Sequence, residues 1–255
     1  MDFNPRQLKL IDVVRSQGSV TVEHLAEELS VTLQTVRRDV QRLSEAGTLT
    51  RFHGGVRMPS STTENIAHTQ RQGLHAEGKA RIARAVAQQV PNHCSLFLNI
   101  GTTTEAIAES LLHHQGLRVI TNNLNVATIL CRNPEFEVIV AGGVVRARDR
   151  GIVGEAAVDF IRQFKVDIGI IGISGIESDG SLRDYDFREV KVTQTIIAQA
   201  REVWLAADAS KFNRPAMVEA ATLRQIDRLF TDATPPEPFA ALLAEADVRL
   251  DVCQA

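Results

Sequence analysis

From Ser95 towards its end the chain repeats one pattern: a short, nearly all-apolar run, a helical segment, then another such run. The runs are Ser95–Ile100, Arg118–Thr121, Glu137–Ala141, Asp167–Ser174, Glu202–Ala207, Arg228–Thr231 and Val248–Val252. Helical spacing fills many of the intervals, at Thr103–His114, Asn125–Cys131, Glu155–Phe164, Asp184–Ala200 and Pro238–Ala246, and a further helical segment over His75–Val90 leads in. Strands apolar on both sides must be covered on both faces, and parallel neighbours need long crossovers, which helices supply. The pattern predicts an α/β domain built on a mostly parallel sheet.

The first 58 residues follow a different rule. A helix is expected over Pro5–Ser16, with Leu8, Leu10, Ile11 and Val14 inward and Gln17-Gly18 closing it. Thr21 caps a second helix that turns Val22, Leu25, Ala26 and Leu29 inward, where small Ala26 permits a close crossing. Ser30-Val31 makes a tight turn, at a point where glycine is common in helix-turn-helix motifs. Thr32 then caps a third helix whose apolar residues are Leu33, Val36, Val40 and Leu43. Its other face carries Gln34, Thr35, Arg37, Arg38, Gln41 and Arg42. Arginine engages guanine and glutamine engages adenine through paired hydrogen bonds, while hydroxyls and helix N-terminal amides suit phosphates. After Gly47, the stretch Thr48–Arg57 reads as a hairpin turning at Gly54-Gly55, with Arg51, His53 and Arg57 as a basic wing. A charged amphipathic helix alone is equally a solvated face; turn, recognition helix and wing in that order predict a winged helix-turn-helix domain that binds operator DNA.

The net charge of −3 gives no global basicity. Between Thr32 and Met58, however, five arginines stand against Asp39 and Glu45, a local excess of three positive charges where a DNA contact needs it. Cys94, Cys131 and Cys253 have no paired spacing and the seven histidines are scattered, so neither a disulfide framework nor a metal or other cofactor is expected. No apolar run reaches the length of a membrane span and Met1–Arg6 lacks an apolar signal core, which predicts a cytoplasmic protein without membrane contacts. The expected organisation is a DNA-binding domain over 1–58, a linker over 59–75 containing the polar run Pro59-Ser60-Ser61-Thr62-Thr63, and an α/β effector-sensing and oligomerisation domain over 76–255. That polar run serves equally as a plain surface loop.

In open α/β sheets ligands bind beyond the carboxyl ends of the strands. The strand exits here carry Gly101-Thr102-Thr103-Thr104, Thr121-Asn122-Asn123, Gly142-Gly143, Gly172-Ile173-Ser174-Gly175 and Asp208-Ala209-Ser210-Lys211. Gly101–Thr104 suits a phosphate cradle or a simple helix cap. Asp208 and Lys211 suit a polyol hydroxyl and a phosphate, or a cap and a surface lysine. Arg146, Arg148, Asp149 and Arg150 form either a solvated loop or a lid or subunit contact, and Asp186, Glu189 and Lys191 either an acid–base set or an ordinary salt-bridged helix face.

Gln34-Thr35-Val36-Arg37-Arg38-Asp39, followed by Arg51-Phe52-His53-Gly54-Gly55, resembles the reader-head signature of the DeoR family of bacterial regulators. The resemblance extends through Thr121–Ala127, Ala141-Gly142-Gly143, Gly172–Ile176, Ser178–Leu182 and Ser210-Lys211-Phe212. It implies that the larger domain shares the fold of ribose-5-phosphate isomerases and coenzyme A transferases. It also implies a repressor function without catalysis, and a phosphorylated effector, with glycerol 3-phosphate implied ahead of other sugar phosphates. An isomerase-like enzyme is the remaining alternative. One head offers few base contacts, so a homo-oligomer, dimer or tetramer, is expected. Asn99 departs from the family, which commonly has aspartate before the Gly-Thr element.

Overall fold

The structure, a computed structural model, describes residues 3–17, 19–52, 54–59, 62, 65 and 67–254. Gly18, His53, Ser60, Ser61 and Thr63 lie outside the described residues. The chain divides into two units, Met1–Glu64 and Asn65–Ala255.

The first unit runs α1 (Pro5–Gln17), β1 (Ser19–Thr21), α2 (Val22–Glu28), α3 (Leu33–Glu45), β2 (Thr50–Phe52) and β3 (Gly55–Arg57). The predicted hairpin β2–β3 gains a third strand, β1, which pairs antiparallel with β3 from Ser19 opposite Arg57 to Thr21 opposite Gly55. A three-residue strand carries too little pattern to be read from sequence. The α2–α3 turn explains the serine at position 30. Val31 N donates to Ala26 O and Ser30 N to Glu27 O, both at 3.0 Å, and Ser30 itself takes φ 52°. This is the left-handed helix ending that glycine usually provides. The core of the unit is Leu10, Ile11, Val14, Leu25, Ala26, Val36, Val40, Leu43, Leu49 and Val56 with Val20. Two expected members are absent from it: Leu8 is 50% and Leu33 41% exposed. On α1 the buried stripe is centred on Gln7 rather than Leu8, because the Gln7 amide donates to Asp39 on α3 at 2.9 Å. Leu33 opens α3, one turn before the stripe begins.

The second unit begins with α4 (His68–Gly73) and α5 (Ala76–Gln89). Then follow β4 (Ser95–Leu98), α6 (Thr102–Leu111), β5 (Arg118–Thr121), α7 (Leu124–Leu130) and β6 (Glu137–Val140). A ribbon, β7 (Val144–Arg146) and β8 (Gly151–Val153), leads to α8 (Glu155–Ile161), β9 (Val166–Ile171), β10 (Gly175–Ile176) and β11 (Ser181–Asp184). The chain closes with α9 (Phe187–Ala198), β12 (Ala200–Ala206), β13 (Val218–Thr222), β14 (Arg228–Thr231), α10 (Phe239–Glu245) and β15 (Arg249–Val252). Among the described residues no helix is long and apolar enough to cross a membrane.

The seven apolar runs form one sheet in the order β15-β14-β12-β9-β4-β5-β6, every pairing parallel. Successive residues face opposite sides: Leu96 and Leu98 lie under α5, α6 and α7, while Phe97 joins the core under α8 and α9. Residues 65–75, expected in the linker, belong to the second unit instead, because α4 buries His68 against Glu105. The three-stranded sheet β10-β11-β13 and the ribbon escaped the sequence reading, since Ser181-Leu182-Arg183-Asp184 lacks an apolar run and the ribbon holds the charged residues read as a loop.

Strand order reverses between β4 and β9, and there Asn99 closes the gap. Its Nδ2 donates to Gly172 O at 3.1 Å and its Oδ1 accepts from Gly172 N at 2.9 Å. An amide satisfies both backbone groups, whereas a carboxylate, an acceptor only, satisfies one and opposes the other. Asn99→Asp is expected to lower the stability of this chain by roughly 1–3 kcal/mol, the cost of an unpaired buried group. Urea unfolding at neutral pH measures it, and an unchanged midpoint would show that the pairing contributes nothing.

Candidate functional site

The exposed face of α3 is fixed from its first turn. Thr32 Oγ1 accepts from Thr35 N at 3.3 Å and lies 2.9 Å from the Thr35 hydroxyl, so both threonines hold the helix start. With Val36, Asp39, Val40 and Leu43 buried, Gln34, Arg37, Arg38, Gln41 and Arg42 are left exposed. A groove of about 410 Å³ runs between α3 and the wing, lined by Gln34, Arg37, Arg38, Gln41, Arg51 and Gly54 among others. Arg57 is half-buried on the middle strand, so its side chain is less available than that of Arg51. Asp39, the carboxylate inside this basic stretch, is turned inward. Arg6 reaches it with Nε at 2.6 Å and Nη2 at 3.3 Å, and Gln7 adds its amide. The acidic charge is thereby hydrogen-bonded inside the unit rather than presented on the outer face beside the arginines. Arg6 and Gln7 carried no sequence signal for this, because their partner lies 33 and 32 residues away.

In the second unit all parallel strands end on one edge, and the predicted residues divide there by what their polar atoms already hold. The Thr104 hydroxyl lies 2.9 Å from Asn99 O and 2.8 Å from Gly101 O, and that of Thr121 donates to Leu98 O at 2.7 Å while accepting from Asn123 N at 3.0 Å. Both hydroxyls are committed to the backbone. Gly101 caps α6, Thr102 is half-buried beside it and Thr103 is buried in the same first turn. Asn122 donates to Ile152 O at 2.9 Å, but its Oδ1 is buried without a partner among the described residues. Gly142 and Gly143 are exposed at the entry to the ribbon, Gly143 with φ 146° where a Cβ would lie 3.0 Å from Ile152.

Asp208 and Lys211 share a short turn after β12. Asp208 Oδ1 accepts from Ser210 N at 3.0 Å and from the Ser210 hydroxyl, whereas Oδ2 is buried and unpaired among the described residues. Burial would raise this carboxyl, but Lys211 and the Ser210 hydrogen bond outweigh it and hold it below its usual range. Lys211 is pushed down to about 8, first by burial and then by Arg214, Arg71 and Lys79, against the pull of Asp208. The charges of three cations that the sequence reading missed therefore act on the predicted lysine. Arg71 stood in the supposed linker, Lys79 among the inward positions of α5, and Arg214 on an irregular stretch that rests on Gly175, where a Cβ would fall 1.9 Å from the Arg214 carbonyl oxygen.

Glu105 on α6 is encircled by donors: His68 Nε2 and Asn125 Nδ2 at 2.9 Å, Gln72 at 3.3 Å and Asn123 at 3.4 Å. Arg146 is enclosed by Asp149 at 2.9 and 2.6 Å, by Asp186 at 2.9 Å and by Glu189. Within the dense charged loop Arg146 and Asp149 thus form a closed ionic knot, whereas Arg148 and Arg150 are exposed. Asp186 also caps α9, accepting from Arg188 N at 3.0 Å, and Lys191 on the same helix is exposed. Glu189 is pushed up to about 8 by burial and by Asp184, against Arg146. The three residues weighed as an acid–base set do not converge as one: two are held by Arg146 and the third points to solvent.

A basic helix-turn-helix face in one unit and a cation-rich sheet edge with unpaired polar atoms in the other define a class: a regulator with a DNA-binding head and a sensor domain. A family model for the DeoR-like helix-turn-helix domain matches residues 6–62, and one for the DeoR C terminal sensor domain matches residues 74–233. The chain belongs to the DeoR family. It is 47% identical over 253 residues to a glycerol-3-phosphate regulon repressor of Escherichia coli strain K12, covering 99% of this chain and 100% of that one. A glycerol-3-phosphate regulon repressor of Haemophilus influenzae is 45% identical, covering 97% and 96%, and the HTH-type transcriptional repressor CsqR of Escherichia coli is 41% identical, covering 97% and 94%. Among solved structures, ribose 5-phosphate isomerase A of Methanocaldococcus jannaschii is similar at a TM-score of 0.41 and 14% identity, covering 54% of this chain and 55% of that one. That distant likeness carries no argument about function, and the three relatives just named, which match nearly the whole chain, are repressors rather than enzymes.

The Asp39 contact yields a test. Asp39→Ala leaves the buried Gln7 amide without its acceptor and is expected to destabilise the head by roughly 1–3 kcal/mol. Burial raises the Asp39 carboxyl, but hydrogen bonds from Arg6 and Gln7 outweigh it and hold it below its usual range. Its contribution is complete above the unfolded carboxyl pKa of about 3.9 and is lost as the pH falls through the lower folded value. Thermal unfolding of the full chain at pH 7 and near pH 3 measures this: the variant's deficit is expected to shrink in acid, and a constant deficit would contradict the assignment.

Proposed function

We propose that this protein represses genes of glycerol 3-phosphate metabolism in the cytoplasm, and that glycerol 3-phosphate releases it from operator DNA. The observation that carries the effector is the buried, unpaired Asp208 Oδ2 beside Lys211, within reach of the charges of Lys79, Arg71 and Arg214. A carboxylate oxygen without a donor suits a polyol hydroxyl, and clustered cations suit a phosphate. Choosing glycerol 3-phosphate among phosphorylated polyols follows the 47% identity to the Escherichia coli regulon repressor. The remaining candidate positions contribute differently: Gly101, Thr102 and Thr103 offer the start of α6, Asn122 offers its free Oδ1, and Gly142 and Gly143 border the ribbon. Thr104 and Thr121 give their hydroxyl protons to the backbone and shape the edge.

On the DNA side, Thr32 and Thr35 set the recognition helix on the backbone. Gln34, Arg37 and Arg38 read bases or grip phosphates, and Arg51, His53 and Arg57 form the wing. Residues 1–58 act as the reader and the second unit, beginning at 65, as the sensor and the site of homo-oligomer formation. Pairing two heads raises affinity through effective concentration. For release, the effector must bind the DNA-incompetent arrangement more tightly, since equal affinity for both shifts nothing.

Arg38→Ala is expected to weaken specific operator binding by roughly 1–3 kcal/mol at fixed salt, read by fluorescence anisotropy. Unchanged specific affinity removes Arg38 from the base-reading set. For the sensor, calorimetric titration with glycerol 3-phosphate is expected to give saturable binding that also releases operator DNA and that Lys211→Ala weakens. Because Lys211 sits near 8, its charge and hence the wild-type affinity fall as the pH rises from 7 to 9, a dependence that flattens in the variant. Absence of binding heat together with undisturbed operator complexes would rule out this effector.

A further inference from the structure

Of the five polar side chains of helix α4, His68, Arg71 and Gln72 face carboxylates of the second unit, and two of these three are settled. His68 and Gln72 both face the Glu105 carboxylate, at 2.9 and 3.3 Å. Arg71 is different. Its guanidinium is mostly buried, its Nη2 comes no nearer than 4.0 Å to Asp149 Oδ2, and its Nε is sealed from solvent without a hydrogen-bond partner among the described residues. Asp149 cannot serve it better, because both its oxygens already accept from Arg146, at 2.9 and 2.6 Å. A guanidinium is a rigid fork of five donors, and a buried donor left unpaired is costly. Arg71 therefore has carboxylates nearby but no anion hydrogen-bonded to its Nε among the described residues.

The surroundings say where that anion would lie. Arg71 stands at the border between the acidic residues Asp149, Asp184 and Glu189 and the cations around Lys211, whose charge it perturbs together with Arg214 and Lys79. Lys79 joins the two features. Its ammonium donates to the carbonyls of Arg71 and, at 2.6 Å, of Leu74, so it fastens the end of α4; of its three donors one is left over, and the charge of Asp208 acts on it. A phosphate placed there takes the fork of Arg71 and the remaining proton of Lys79 without disturbing the fastening.

We propose that Arg71 is a phosphate-binding residue of the effector site, and that α4, the first helix after the head in sequence, is tightened when the site is filled. This rests on the reading of the effector as a phosphorylated ligand. Its consequence is directional: occupancy rigidifies the first helix of the second unit, so the signal starts at residues 68–74 rather than in the sheet.

Inorganic phosphate and glycerol 3-phosphate, each titrated into the full chain, test the assignment separately from the identity of the effector. Arg71→Ala is expected to lower affinity for both by the same factor, roughly 10- to 100-fold. Arg71→Lys, which keeps the charge but loses the fork, is expected to lose less and guards against a folding defect. Amide hydrogen exchange over residues 68–74 is expected to slow when phosphate is added to the wild type and to remain unchanged in Arg71→Ala. Wild-type phosphate affinity in Arg71→Ala, or unaltered exchange over α4 in the liganded wild type, overturns the proposal while leaving the repressor reading intact. Binding of phosphate but not of glycerol 3-phosphate removes that effector and leaves Arg71 judged by the phosphate data. Failure of the wild type to bind either anion overturns both.

Discussion

Parallel strands cannot be joined by tight turns, so each connection in the seven-stranded sheet crosses a face and returns to the same starting edge. Every strand therefore delivers its exit to the opposite edge, and residues far apart in sequence meet there: Asn99, Asn122, Gly172 and Asp208. Two of these exits are tied by the Asn99 amide at the reversal of strand order. Without that tie, Gly172 at the exit of β9 would lose the partner of both its backbone groups. The polar edge exists because the apolar core beneath it leaves no choice of direction.

Charge is handled in opposite ways in the two units. In the head a single carboxylate, Asp39, is withdrawn and matched to Arg6, so that the outward arginines of α3 keep their field for a polyanion. In the sensor, arginine and carboxylate are packed together around Arg146 until little free charge remains. Around Asp208 and Lys211 the match is incomplete. A count of charged residues in either unit misjudges both, because what matters is which charges already have partners.

Much of the fold was legible because it rests on periodicity. The seven apolar runs became the seven parallel strands, and the caps Thr21 and Thr32 start α2 and α3 where their hydroxyls meet amide groups. What failed was short or long-range. Strands β1, β10 and β11 carry two to four residues, too few for a pattern, and Leu8 satisfied the helical spacing while Gln7 took the buried place for the sake of Asp39. The site was half legible. Asp208 and Lys211 announced themselves at a strand exit, but Thr104 and Thr121 turned out to serve the backbone, and Arg71, Lys79 and Arg214 reach the same edge from elements whose local sequence gives no sign of it.

The geometry of α3 separates two kinds of position on one helix. Val36, Asp39, Val40 and Leu43 hold the unit together, whereas Gln34, Arg37, Arg38 and Gln41 touch none of its core. If the second set reads operator DNA as proposed, drift in it changes which sequences are bound while the core positions stay fixed, so a duplicated copy of such a gene is free to acquire a new target on the same scaffold. Asp39 marks the limit of that freedom: it stands beside Arg38 in the chain, but any change there must be answered across the unit at Arg6 and Gln7.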